Sequence, residues 1–257
     1  MVKVQEVYDY LCSIAPLELQ CSFDNAGFQI GRSDKTVNKV LLALDVTNPV
    51  IDEAVDKGAD LILSHHPILF TPVKRITDAE YETEKLLRLA EKGIAVISMH
   101  TNLDIVSGGV NDVLIAALGA SSDAALDEEG CGRIGRLYKP GGMKSFLSRC
   151  KTVLNAKGLR YYDAGRHVEY LALCGGAGGD ILYEAAQRGC DTVLTGEIKH
   201  HQWIDGAELG LNLLEGGHFA TENVVMPSLA EMLRQGFPEI DVCLSRLQGP
   251  LSRGFGF

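Results

Sequence analysis

Along the chain, short unbroken apolar runs alternate with longer stretches in which apolar positions recur every three or four residues, as when strands alternate with amphipathic helices. The run KVLLALDVT (39–47) is apolar on both alternating faces and ends in Asp45 and Thr47, which suits a strand buried on both sides of a parallel sheet. Thr47 or Asn48 can cap a helix there, and Pro49 fits its first turn. Val50, Ile51, Ala54 and Val55 then form one apolar face before Gly58 ends it. DLILSHHP follows as a second strand, so 39–64 read as a β-α-β unit with parallel strands. Upstream, Val4, Val7, Tyr8 and Leu11 stand at helical spacing. Downstream, Leu86, Leu87, Leu89 and Ala90 lie among charges in a helix over 79–92 with one wet face, and Gly93 leads into the strand IAVISMH with His100 at its exit.

Val110, Val113, Leu114, Ala117 and Leu118 predict another helix. Beyond a Gly- and Asp-rich stretch (119–132), strands are expected near 134–138, 159–162 and 168–174, with helices near 143–156 and 180–188. The strands DTVLT and LNLLE, a long helix over about 220–235 and the strand IDVCL complete the pattern. The second half restates the first. EAVDKGADLILS (53–64) and EAAQRGCDTVLT (184–195) align without a gap, and His100-x3-Asp104 corresponds to His218-x3-Glu222. The predicted fold is therefore α/β: two similar α/β halves, 1–127 and 128–257, with mixed, mostly parallel sheets and a metal site between them.

Six side chains of metal-ligand type, His65, His66, His100, Asp104, His218 and Glu222, fall just past predicted strand ends, the edge of an α/β sheet where ligands bind. A spacing of four puts His100 with Asp104, and His218 with Glu222, on one helical face. His65 and His66 would diverge in a regular strand, so that neighbouring rings reach two different ions, and Pro67 holds His66 extended. Four imidazoles and two carboxylates suit two divalent ions of the Zn, Fe, Mn, Co or Ni type and disfavour calcium.

Other candidates rank below these. Glu197 stands in the second half where His66 stands in the first and is the candidate for acid/base catalysis or for orienting a ligand; Asp45 divides between such a role and helix capping. CGGAGGD (174–180) reads as a tight turn letting backbone approach the metal site, or as an anion cradle, although it matches neither a P-loop nor the full dinucleotide fingerprint. His200 and His201 are expected on the surface, His167 in a turn, and the single Trp203 in packing.

Composition narrows the function further. With 257 residues, 46% hydrophobic and 23% charged, the chain can bury a substantial core. A net charge of −10 opposes direct binding to nucleic acid and suits a cytoplasmic protein. The N-terminus lacks the apolar run of a signal peptide, and no uncharged run nears the ~20 residues that span a bilayer, so no membrane association is expected. Seven cysteines without a C-x-x-C pair predict reduced, mostly buried thiols.

Taken in order, SFDNAGFQIG (22–31), LLALDVT, LILSHHPILF, ISMHTNLD, LCGGAGGD, VLTGEIKHH and GGHFATE resemble the GTP cyclohydrolase I type 2 homologue family, also called NGG-interacting-factor-three-like proteins. The resemblance implies a dinuclear metal centre held by His65, His66, His100, Asp104, His218 and Glu222 in two similar α/β domains. It also implies a toroidal homohexamer. Some members carry an extra domain between the halves, and the short connection at 119–132 indicates that this chain lacks it. The leading functional expectation is a metal-dependent hydrolase in which bound water of lowered pKa attacks a small-molecule substrate, a nucleotide among the candidates. The competing expectation is a non-catalytic, metal-binding oligomeric adaptor whose ions are structural.

Overall fold

A computed structural model of the chain describes residues 1–249. Two compact units emerge, one made of 1–106 and 226–249 and the other of 107–225.

The first unit begins with α1 (Val4–Ile14), whose Val4, Val7 and Leu11 are buried, and β1 (Gly27–Ile30). Next come β2 (Lys39–Ala43), α2 (Asn48–Lys57), β3 (Leu61–Ser64), α3 (Tyr81–Lys92), β4 (Ala95–Ser98) and the single-turn helix α4 (Thr101–Ile105). The Thr47 hydroxyl accepts the Val50 N–H at the start of α2, and Gly58 closes that helix with φ 64°, a left-handed conformation that glycine adopts without steric cost. Strands β2, β3 and β4 are parallel as expected. Both faces of this sheet are covered. Leu41, Ala43, Ile62 and Val96 pack against Val50, Ile51, Ala54 and Leu89, while Val40, Leu42, Leu61 and Leu63 on the opposite face are equally buried.

The second unit contains α5 (Val110–Ala117), β5 (Ala124–Ala125), β6 (Arg133–Gly141), α6 (Met143–Val153), β7 (Arg160–Tyr162) and β8 (Val168–Cys174). These are followed by α7 (Leu182–Gln187), β9 (Thr192–Thr195), α8 (His200–Glu208), β10 (Asn212–Glu215) and α9 (His218–Glu222). Ala172, Val193 and Leu213 face Leu182 and Ala185, and Leu171, Leu173, Leu194 and Leu214 face Leu114 and Phe146 on the other side.

The chain then returns to the first unit through α10 (Met226–Gly236) and β11 (Asp241–Leu244). Strand β11 pairs in parallel with β2, giving the order β1-β4-β3-β2-β11. The second sheet has the order β5-β6-β8-β9-β10-β7. The first sheet has four parallel strands with β1 antiparallel on β4 at one edge, and the second has three, β8, β9 and β10, with β7 antiparallel on β10 and β6 antiparallel on β8.

Segments 53–64 and 184–195 are thus the same helix-glycine-strand element. Gly58 and Gly189 are both left-handed, and Asp60 and Asp191 each accept two backbone N–H groups of the neighbouring strand's first residues.

Two expectations need correction. A single division at 127/128 does not describe the chain, which changes unit at 106/107 and again at 225/226, because the terminal helix and strand complete the first sheet. The long helix expected over 220–235 is also broken: α9 passes through a 3-10 turn (Asn223–Val225) before α10 starts. Pro227 explains the restart, since its ring and missing N–H are tolerated only in a helix's first turn.

Cys150 and Cys190 are buried, and burial pushes their thiols up to about 12 and about 11. Cys12, Cys21, Cys131, Cys174 and Cys243 are half-buried rather than buried. Among the described residues, no helix is long and apolar enough to cross a membrane.

Candidate metal centre

In the first unit the chain leaves β3 at Ser64, and a local hydroxyl pair sets its course. Ser64 Oγ and Ser98 Oγ lie 2.7 Å apart in the interior, and Ser64 Oγ donates to the His66 carbonyl at 2.9 Å. The His66 N–H donates to Leu44 O, which carries the β2-β3 ladder past Ser64, the last residue of β3, to the two histidines. Their rings nonetheless converge instead of diverging. Ring centroids of His65, His66 and His100 are 5.0 to 5.4 Å apart, and the three residues bring ligand nitrogens within 4.8 Å of one another. Asp104, one helical turn after His100, brings Oδ1 to 3.6 Å from His65 Nε2.

Each ring is anchored through Nδ1. His65 Nδ1 meets Met99 O at 2.8 Å, His66 Nδ1 meets Asp45 Oδ1 at 2.7 Å, and His100 Nδ1 meets Asp24 Oδ1 at 2.7 Å. Carbonyl and carboxylate oxygens only accept, so each Nδ1 carries the proton and donates. That fixes the tautomer and makes Nε2 the basic nitrogen of each ring, the arrangement in which histidines bind metals. Asp24 is well built for this task. Burial of its side chain raises its pKa, but hydrogen bonds from His100 and Thr101 outweigh that and hold it at about 2.

The second unit repeats the device with one ring. His218 Nδ1 donates to Glu197 Oε1 at 2.8 Å, and His218 Nε2 lies 3.2 Å from the buried Glu222 Oε2. Glu197 therefore stands behind the ring it orients, with its side chain 60% exposed.

The glycine-rich segment after β8 packs against this pair. A Cβ on Gly176 would sit 2.1 Å from Glu222 Oε1 and 3.3 Å from His218 Nε2, and one on Gly196 would meet Gly176 O and His218 Cα at 2.5 and 2.8 Å. The N–H of Gly175 is committed to Asn111, that of Gly176 to Thr221 and that of Gly178 to Thr195. These three amides point inward, as suits a close-approach turn.

His100 and His218 are not quite equivalent. His100 is the residue capping α4, whereas His218 is the first residue within α9 and Gly217 takes the cap, because Gly216 and Gly217 fill the place of Met99 alone. Remaining expectations hold where they fall on the surface or in packing: His167, His200 and His201 are exposed, and Trp203 Nε1 donates to Ile198 O. Asp24 and the Met99 carbonyl are contributors that residue spacing did not reveal; Asp24 closes the turn that begins at Cys21, its N–H donating to Cys21 O.

The donor sets fit divalent transition ions. Imidazoles with fixed tautomers, joined by carboxylates, match borderline metals in ligand type. The first unit holds three imidazoles and Asp104, and the second holds His218 and Glu222.

A family model described as Duf34/NIF3 (NGG1p interacting factor 3) matches residues 2–249. A Clostridium perfringens protein named GTP cyclohydrolase 1 type 2 homolog is 36% identical over 241 residues, covering 91% of this chain and 92% of the relative. Among solved structures, a Staphylococcus aureus hypothetical protein superposes with a TM-score of 0.90 at 27% identity, covering 98% of this chain and 99% of that one. Reduced HcgD from Methanocaldococcus jannaschii does so with a TM-score of 0.85 at 29% identity, covering 96% and 98%.

Proposed function

The chain belongs to the Duf34/NIF3 family, and on that footing we propose that it binds two divalent metal ions through His65, His66, His100, Asp104, His218 and Glu222 and acts as a metal-dependent hydrolase on a small, nucleotide-like substrate. The observation that carries the reading is the shared anchoring of four imidazoles, each with Nδ1 held by an oxygen and Nε2 left as the basic nitrogen. Bare structural histidines have no need of so uniform a tautomer.

Ions of the Zn, Fe, Mn, Co or Ni class would supply Lewis acidity and a water whose pKa is lowered toward ~7. The chain's own residues do the rest. Asp24, Asp45 and the Met99 carbonyl hold three rings in orientation, and Glu197 holds the fourth. Asp104 and Glu222 bring negative charge to cationic ligands. The exposed carboxylate of Glu197 is the group assigned to proton transfer with substrate. The reading carries with it, from the family resemblance, a toroidal homohexamer and, from the net charge of −10, a cytoplasmic location.

The test is a nucleotide panel, GTP first, assayed with and without chelator beside thermal melts of wild type and Glu222→Gln. Glu222→Gln keeps the shape and removes the charge, so turnover and metal content should fall together while the fold persists. Chelation should abolish turnover and added metal restore it. Turnover that survives metal removal refutes the mechanism. No turnover on any substrate, with a large metal-dependent rise in melting temperature, favours the structural-metal adaptor.

A further inference from the structure

We propose that a pocket beside His100, within the first unit, is a subsite for a planar heteroaromatic ring carried by a ligand of nucleoside size, with Phe23 and Phe70 as its aromatic walls. The proposal rests on the metal-centre reading only for what happens at the far end of such a ligand.

The cavity measures about 410 Å³, and Phe23, Asp24, Asn25, Phe70, Thr71 and Val73 are among its lining residues. That volume lies in the range of small-molecule sites. Phe23 is 65% exposed and Phe70 48% exposed, although folding ordinarily buries rings of this size. Their centroids are 6.4 Å apart at an interplanar angle of 61°, so the two rings form a corner that offers a ligand one ring's face and the other's edge. Phe70 also meets the His100 ring edge to face, with centroids 6.0 Å apart at 84°. A ring seated against Phe70 is therefore one side chain away from a candidate metal ligand.

The walls are held in place. Asn25 Nδ2 donates to Leu69 O at 2.6 Å, and the Leu69 N–H donates to Gln29 Oε1 at 3.3 Å, tying the segment that carries Phe70 to the segment that carries Phe23. Among the described residues Asp24 is the only charged one in the lining, and its carboxylate is committed to His100 and Thr101. The pocket thus presents aromatic surface and no uncommitted full charge, which favours a neutral ring over an anion. The Thr71 hydroxyl and the Asn25 amide give it polar groups for ring nitrogens or a ring carbonyl, which favours a heterocycle over a hydrocarbon.

The test titrates adenosine, guanosine and uridine, with ribose as the control lacking a ring, into metal-loaded full chain by calorimetry. Wild type is compared with Phe23→Ala, Phe70→Ala and Phe70→Leu, with metal content and melting temperature recorded for each. At least one nucleoside should bind and ribose should not. Each alanine variant should weaken binding by about tenfold or more, the usual effect of removing a stacking partner. Phe70→Leu, which keeps apolar bulk without an aromatic face, should weaken it less, and it decides the matter if an alanine variant fails to fold. Absence of nucleoside binding to metal-loaded wild type, or unchanged affinity in the folded variants, overturns the proposal. A wild type that holds metal but binds no nucleoside condemns this subsite alone, and a wild type that binds a nucleoside without any metal uptake condemns the metal reading alone.

Discussion

Asp24 and His100, 76 residues apart in sequence, meet at 2.7 Å, and the second oxygen of Asp24 accepts the Thr101 N–H at 3.0 Å. One buried carboxylate thus fixes both the imidazole and the start of the helix that carries Asp104. Orientation of the ring and placement of the carboxylate that follows it have a common support.

Asp24→Asn should therefore weaken metal binding by about 10- to 100-fold, the usual consequence of losing the group that orients a ligating histidine. Competition against a chromophoric chelator measures the affinity, and a thermal melt shows whether the fold persists. Wild-type affinity in a folded Asp24→Asn protein would show that His100 needs no such support.

Asp60→Ala and Asp191→Ala should destabilise the protein by similar amounts, about 1–3 kcal/mol each, because each leaves two strand-initiating N–H groups without their carboxylate. Urea unfolding of the two variants checks this. A large loss in one and none in the other would mean that the matching positions are not mechanically equivalent.

That equivalence marks how far the chain could be read in advance. Helix α2 and strand β3 were legible because cap, proline, apolar stripe and terminal glycine all lie within 47–64, and the histidines at the strand exits were legible because strand ends are local features. Pairing partners are not local. Nothing within IDVCL says that it joins β2, and Asp24 is a ligand's support only because folding brings it to His100. Strand β1 was missed because four residues beginning with glycine carry too little pattern. Pro227, by contrast, was a visible breaker inside the expected long helix.

Glu53 gives a pH-dependent prediction. Its carboxylate is buried beneath the 245–247 segment and accepts from Ser245 Oγ and from the N–H groups of Arg246 and Leu247, with Lys57 Nζ at 3.2 Å. Burial raises its pKa, but these hydrogen bonds outweigh it and the net shift is downward. A depressed folded pKa stabilises above the unfolded value of about 4.3, and the stabilisation disappears as pH falls through the folded value. The melting-temperature gap between wild type and Glu53→Gln should be full at neutral pH and close as pH drops below about 4. A gap independent of pH would assign the effect to packing.

Gly176→Ala should be more damaging than an ordinary surface substitution. Its φ of 62° disfavours any Cβ, and the added atom would lie 2.1 Å from Glu222 Oε1. A loss of about 1–3 kcal/mol in stability is expected, together with reduced metal content. A variant with normal metal content would show that Glu222 can move aside without consequence.

The most direct measurement is elemental analysis of the reconstituted chain, wild type against the His65→Ala/His218→Ala double variant, with folding verified by melting. The account predicts two divalent transition ions per wild-type chain and a clear deficit in the folded variant. A wild-type chain that takes up no transition metal, or a double variant with full metal content, would contradict it.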